Sequence, residues 1–280
     1  MRIAVTGSSG FIGSKLTKAL QKRNHCIIKL DIAEGMDILN FEQLKNVPEF
    51  DACVHLAANS FVPSSYERPR DFYHLNINGV INLLEICRKF QARFVFSSSY
   101  VYGSPNYLPI SEDHPLNGFN PYSETKIIGE RLCENYFRYF NVPSIILRPF
   151  NIYGSGQNPK FLIPIILEQA KTGKIDLLDP NPKRDYVFID DVVEAFVKAV
   201  EFENKQFVQV NVGSGKSHSV SEVVQIVNTL YYNKLKITYA NNKRINEVDD
   251  TVADISKISK LLNWQPQINL TDGLTQMIIK

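Results

Sequence analysis

A chain of 280 residues, 44% of them hydrophobic, is long enough to bury a substantial core as one large α/β unit or as two joined lobes. Thirty-one basic residues against twenty-nine acidic ones leave a net charge of +2, which offers no footing for a nucleic-acid partner, a membrane surface or an acidic tail. The opening MRIAVTGSSGF enters a strand-like run with no cationic leader, and no window has the apolar length of a membrane span, so a cytoplasmic protein is expected. Cys26, Cys53, Cys87 and Cys133 lack the spacing of a zinc site or a disulfide framework. Buried reduced thiols and no metal are the expectation.

In chain order, RIAVTG, CIIKLD, ACVHLAA, RFVFSSS and SIILRPF read as β-strands. Between them, Phe11 to Arg23, Asp71 to Phe90 and Pro121 to Phe140 have the length and apolar spacing of helices. Successive βα units predict a doubly wound, Rossmann-type parallel sheet whose ligands sit at the carboxyl ends of its strands. The first unit carries TGSSGFIG, with Gly7, Gly10 and Gly13 between a strand and a helix. Gly7 suits the tight turn, Gly10 lets the backbone approach a pyrophosphate, Phe11 and Ile12 open the helix beneath it, and Gly13 allows helix and strand to pack closely. Asp31 closes the second strand at about the twenty-residue distance at which an acid takes the adenosine ribose. Its carboxylate accepts from a free 2′-hydroxyl and repels a 2′-phosphate, and IAEGM supplies no compensating cation. The expected cofactor is therefore NAD and not NADP.

After Arg148-Pro149-Phe150 the alternation breaks into NIYGSGQNPK, a helix-like run and the turn-rich DPNPKRDY, which marks a second lobe. YVFIDDVVEAFVKAVEF and FVQVNVGSG then read as strand, helix and strand returning to the main sheet. The expected division is 1–150 plus 186–212 for the dinucleotide domain, and 151–185 plus 213–280 for a smaller interleaved substrate lobe.

Two stretches carry candidate chemistry. SSSYVYG puts Ser97, Ser98 and Ser99 where the fourth strand ends, a place where serines ordinarily make turns but where this sheet binds ligands. In NPYSETK, Asn120 suits an N-cap and Pro121 the first helical position, so Tyr122 and Lys126 share one helix face. A nearby ammonium favours the phenolate and makes tyrosine a usable proton carrier near neutral pH.

In this order, TGSSGFIG, Asp37-Ile38, HLAA at His55 to Ala58, SSSYVYG, PYSETK, RPFNIYG and RDYVFIDD resemble the extended short-chain dehydrogenase/reductases of the nucleotide-sugar epimerase/dehydratase family over nearly the whole chain. The resemblance implies catalysis by a Ser–Tyr–Lys set on a nucleotide-diphosphate sugar. Counted back from Tyr102, the catalytic hydroxyl falls on Ser98, with Tyr122 moving the proton and Lys126 tuning Tyr122 while holding the nicotinamide ribose. The resemblance also assigns Asp37 and Ile38 to the adenine, and Leu56, Ala57 and Ala58 to the cofactor phosphates and ribose. Asn151, Arg184 and Arg244 match positions that hold the substrate diphosphate or nucleotide, although RINE stands where the family's Arg-Pro-Gly-acid turn is usual. Asn76 and Asn78 are expected to fasten backbone and Trp264 to be core. Family likeness further implies a homodimer through the helices near Asn76 to Phe90 and Pro121 to Phe140.

The fold does not choose the reaction. Dehydratases of this family carry Asp-Glu after the catalytic hydroxyl, where Ser99 and Tyr100 stand here, and decarboxylases a glutamate at Tyr100. Epimerisation through a transient 4-keto sugar, with hydride returned by tightly bound NAD, is the favoured reading. The alternative is NAD(P)H-dependent reduction of a 4-keto-6-deoxy nucleotide sugar, because the short link from Asp31 to Asp37 and RPFN with GSGQNPKF resemble the GDP-4-keto-6-deoxymannose reductases. A non-enzymatic NAD(H)-sensing module is the third reading, and the retained Ser98, Tyr122 and Lys126 count against it.

Overall fold

The computed structural model describes residues 1–203, 205–242 and 247–279. From the N-terminus run β1 (Arg2–Thr6), α1 (Gly13–Lys22), β2 (Cys26–Leu30), α2 (Phe41–Lys45), β3 (Ala52–His55), α3 (Val62–Glu67), α4 (Pro69–Phe90), β4 (Arg93–Ser97), α5 (Pro121–Phe140) and β5 (Ser144–Pro149). The two long helices stop at Gln91 and Asn141, which take left-handed conformations at φ 53° and 55° and turn the chain into the next strand. Helix α5 starts as its sequence dictates: Asn120 Oδ1 accepts from the Ser123 N–H at 2.8 Å, a reciprocal capping box closes, and Pro121 fills the first turn.

The second half adds β6 (Asn151–Tyr153), α6 (Leu162–Lys171), β7 (Lys174–Leu177), β8 (Lys183–Phe188), α7 (Ile189–Glu201), β9 (Phe207–Val212), β10 (Ser217–Ser219), α8 (Val220–Leu230), β11 (Lys236–Tyr239), α9 (Ser256–Leu262) and α10 (Leu270–Ile279). Six parallel strands form the main sheet in the order β2-β1-β3-β4-β5-β9. β10-β8-β6 and β11-β7 make two small sheets. The strand read from YVFIDD therefore does not join the main sheet. Both edges of β5 are taken by β4 and β9, so β8 pairs with β6 and β10 instead, and the return to the main sheet begins with α7 and β9.

Period-two alternation sorts the buried strands between two layers. Val54, Val95 and Leu147 pack with Val192, Phe196 and Val200 of α7, whereas Cys53, Phe94, Phe96 and Ile146 pack with Val80, Leu83 and Cys87 of α4 and Cys133 of α5. Cys53, Cys87 and Cys133 are buried as expected, but Cys26 is exposed, because it opens β2 at the edge of the sheet. Trp264 is core, its indole N–H donating to the Asp191 carbonyl at 3.0 Å. The order reverses between β1 and β3, and in a doubly wound sheet the ligand crevice opens at that point.

Candidate active site

The glycine loop lies at this crevice. Gly7 has φ +62°, and a Cβ there would lie 2.9 Å from the Ala57 nitrogen at the end of β3. A Cβ on Gly13 would lie 2.0 Å from the Gly7 carbonyl oxygen, so strand and helix pack as tightly as the spacing predicts. The face of Gly10 is open apart from that carbonyl at 3.2 Å. Ile12 caps α1 without a side-chain bond, and Phe11 lies against the loop after β6, its Cδ2 3.8 Å from where a Cβ on Gly156 would stand. Ser8 Oγ in the same loop is buried with no hydrogen-bond partner, a polar atom waiting for a ligand.

Asp31 stands beside this loop, accepting the Ser9 N–H and the Ala33 N–H at 2.9 Å each. Asp37 Oδ1 accepts the Leu39 N–H at 2.9 Å, while the Ile38 side chain is buried against Gly79. The N–H groups of Leu56 and Ala57 donate to Thr6 Oγ1 at 3.0 and 3.1 Å, and Ala58 follows them, half-buried. Thr6 Oγ1 also meets His55 Nδ1 at 2.8 Å. Burial first, and the Lys126 charge second, lower the His55 pKa to about 3, so this imidazole stays neutral and contributes no proton chemistry at ordinary pH.

The residues expected to move the proton come together one strand further along. Tyr122 is half-buried and Lys126, one turn on, is buried. The Lys126 Nζ donates to the Ser97 carbonyl at 2.7 Å and lies 5.9 Å from the centre of the Tyr122 ring. Burial lowers the Lys126 pKa to about 8 against the opposing charge of Glu130. Burial raises the pKa of Tyr122, and a hydrogen bond from Ser99 opposes that rise.

The two serines that follow the strand face different groups. The Ser98 Oγ donates to Glu130 Oε1 at 2.5 Å, deep in the protein, whereas Ser99 is the hydroxyl that works against burial to lower the Tyr122 pKa. The reason is the pleat. Phe94 and Phe96 face α4 and α5, and Ser98 continues that alternation toward α5, whereas Ser99 lies past the strand, where the chain turns.

A buried polar network backs the site. The Arg148 guanidinium donates to Glu130 Oε2 at 2.6 Å, to the Tyr102 hydroxyl at 3.0 Å and to the Glu112 carbonyl at 3.1 Å. Tyr102 in turn donates to Asn211 Oδ1 at 2.5 Å. Asn76 fastens backbone as expected, gripping the N–H and carbonyl of Asn59 at 2.9 and 3.1 Å. Asn78 does not: it is exposed and meets the His74 ring.

On the substrate side, Asn151 Nδ2 donates to the Asp185 carbonyl at 3.4 Å. The Arg184 guanidinium donates to Glu247 and to the Val248 carbonyl, and its charge opposes the burial that raises the pKa of Tyr100, the residue after Ser99. Arg244 lies outside the described residues. Phe61, at the start of α3, meets Phe161, at the start of α6, edge to face at 6.0 Å.

Residues 3–213 match the NAD dependent epimerase/dehydratase family. A putative UDP-glucose 4-epimerase of Methanocaldococcus jannaschii is 33% identical over a 300-residue alignment that covers 99% of this chain and 97% of the relative. This chain belongs to the NAD-dependent epimerase/dehydratase family. Two solved structures extend the likeness. The UDP-glucose 4-epimerase of Thermotoga maritima with UDP-glucose superposes with a TM-score of 0.92 at 26% identity, over 100% of this chain and 98% of that one. The UDP-glucuronic acid 4-epimerase of Bacillus cereus, in complex with UDP-glucuronic acid and NAD, gives 0.90 at 27% identity over the same shares, 100% and 98%.

The residues present fit the family's cofactor. The open face of Gly10, the unpartnered Ser8 hydroxyl and the uncapped start of α1 suit a pyrophosphate, and Asp31 stands where an adenosine ribose would lie. NAD(H) should therefore bind much more tightly than NADP(H), whose 2′-phosphate would face the Asp31 carboxylate. Titration calorimetry with both nucleotides checks this, and Asp31→Ala should narrow the preference; equal affinity for the two in the unaltered protein would refute the role given to Asp31.

Proposed function

We propose that this family member is a UDP-sugar 4-epimerase, and that Ser99, Tyr122 and Lys126 carry its proton chemistry. The observation that supports it most directly is the Lys126 ammonium 5.9 Å from the centre of the Tyr122 ring, beside a Ser99 hydroxyl that works against burial to lower the Tyr122 pKa. Tyr122 takes the proton of the sugar C4 hydroxyl and later returns it. Ser99 hydrogen-bonds the same sugar oxygen and steadies the phenol. Lys126 favours the phenolate and reaches the nicotinamide ribose. When bound, NAD supplies a reversible acceptor for the C4 hydride. A transient 4-keto sugar would turn over in the cleft, so that hydride would return to the opposite face of C4 and the proton to the C4 oxygen. Asn151 and Arg184 hold the substrate diphosphate, Arg184 exchanging Glu247 for phosphate oxygens. Exposed Tyr73 on α4 and Tyr139 and Phe140 on α5 support a homodimer through those helices.

The test is incubation of the purified protein with UDP-glucose and, separately, UDP-galactose, followed by NMR of the anomeric protons. Interconversion with no more than catalytic NAD⁺ is expected. Stoichiometric NADPH oxidation on a 4-keto-6-deoxy sugar nucleotide, without epimerisation, would replace this reading with that of a reductase.

A further inference from the structure

Two consecutive residues at the end of β4 are bolted to successive turns of one helix. The Ser97 carbonyl accepts from Lys126 at 2.7 Å and the Ser98 hydroxyl donates to Glu130 at 2.5 Å, and the next hydroxyl, that of Ser99, works against burial to lower the Tyr122 pKa. Tyr122, Lys126 and Glu130 lie at intervals of four on α5 and so share one face. Ser98 is pinned twice, because its backbone N–H also donates to the Leu147 carbonyl at 2.8 Å. The Glu130 carboxylate is fixed from the other side, accepting Arg148 Nε at 3.0 Å on Oε1 and the terminal guanidinium nitrogen at 2.6 Å on Oε2.

Neither Ser98 nor Glu130 touches the reacting groups in the chemistry above. A carboxylate buried this deeply costs several kcal/mol to desolvate, and Arg148 alone would answer its charge. The additional short bond to Ser98 has a geometric consequence: it fixes where the strand ends and hence where the following side chain points.

We propose that Ser98 and Glu130 act as one positioning unit, holding the turn after β4 so that Ser99 is presented to the Tyr122 phenol. The inference rests on the reading of Tyr122 as the proton carrier. Ser98 in this view is a positioning residue and Ser99 is the hydroxyl that meets substrate.

The readout is the titration of Tyr122 itself, followed by near-ultraviolet phenolate absorbance in the NAD-bound protein as a difference against the same variant carrying Tyr122→Phe. Ser99 lowers the Tyr122 pKa, so losing its hydroxyl moves the transition to higher pH. Ser99→Ala should show the full displacement, about 0.5–1 pH unit for one net hydrogen bond. Ser98→Ala should move in the same direction and Ser98→Thr, which keeps the hydroxyl, should stay close to the unaltered protein. Glu130→Asp keeps a charge for Arg148 but withdraws it from Ser98, and should also shift the transition upward. The double variant Ser98→Ala/Glu130→Asp should shift it no further than the larger single effect, because the two residues form one unit.

An unshifted Ser98→Ala transition, or additive single effects, would overturn the proposal. Circular dichroism checks each fold, and should Glu130→Asp fail to fold, the contrast between Ser98→Ala and Ser98→Thr decides alone. The titration needs no sugar. Shifts as expected in a protein that epimerises no UDP-sugar would therefore reject the substrate and retain the positioning unit, whereas epimerisation with unshifted transitions would do the reverse.

Discussion

Tyr122→Phe is expected to keep the fold and NAD binding while turnover falls roughly 10²–10⁴-fold, the range for loss of an acid–base group. The substitution removes one oxygen from a half-buried ring and leaves the packing of α5 unchanged. What disappears is the phenol oxygen to which the proton transfer is assigned, on a ring whose centre lies 5.9 Å from the Lys126 ammonium. Its pH dependence carries a definite sign. Burial holds the Lys126 pKa down to about 8, with Glu130 working against that fall. Below about 8 the ammonium is charged and favours the phenolate; as pH rises through that value the charge is lost. Activity of the unaltered protein should therefore decline on the alkaline side of 8, and Lys126→Ala should reduce both rate and NAD affinity, since one ammonium serves both. Steady-state rates across pH with UDP-glucose provide the measurement. Near-normal turnover by Tyr122→Phe would end the case for Tyr122 as proton carrier.

Much of this architecture is legible in the residues because local and long-range signals agree. The glycine triplet fixes a strand–turn–helix, and the predicted clash of a Gly13 Cβ with the Gly7 carbonyl is the packing reason for it. Asn120-Pro121 sets the first turn of α5 and thereby places Tyr122 and Lys126 on one face. Two features resisted. The place of β8 depended on competition for an edge of β5, which β9 won, and strand partners are not encoded in a single strand's pattern. Which partner each serine faces turned on the in–out alternation of Phe94, Phe96 and Ser98, which sends the Ser98 hydroxyl to Glu130 and which a motif count from Tyr102 does not register. Asn78 was missed for a similar reason: its neighbour Asn76 faces α5 through Thr125, so on the same helix Asn78 points outward.

The largest stability effect is expected from Arg148→Met. Arg148 and Glu130 are 1% and 2% exposed at their side chains and lie 2.6 Å apart. Burial alone would lower the Arg148 pKa, but its hydrogen bonds and charge contact with Glu130 outweigh burial and keep the guanidinium charged. Met fills most of the volume but leaves a buried carboxylate with Ser98 as its remaining partner, and breaking a buried pair from one side typically costs about 3–5 kcal/mol. The loss spreads, because Arg148 also donates to Tyr102 and to the Glu112 carbonyl, and Tyr102 reaches Asn211 on β9. Equilibrium denaturation should show a markedly lower midpoint with little change in slope, since the surface exposed on unfolding is nearly the same. Replacing both partners, Arg148→Met with Glu130→Leu, should recover part of that loss, because the carboxylate is then no longer left without its guanidinium, although the buried Lys126 ammonium loses the opposing charge of Glu130. The recovered double variant should nevertheless remain impaired in catalysis, since Ser98 has lost its anchor and Ser99 its fixed approach to Tyr122. A single Arg148→Met variant as stable as the unaltered protein would show that Glu130 does not depend on this guanidinium, and the network beneath the active site would lose its central member.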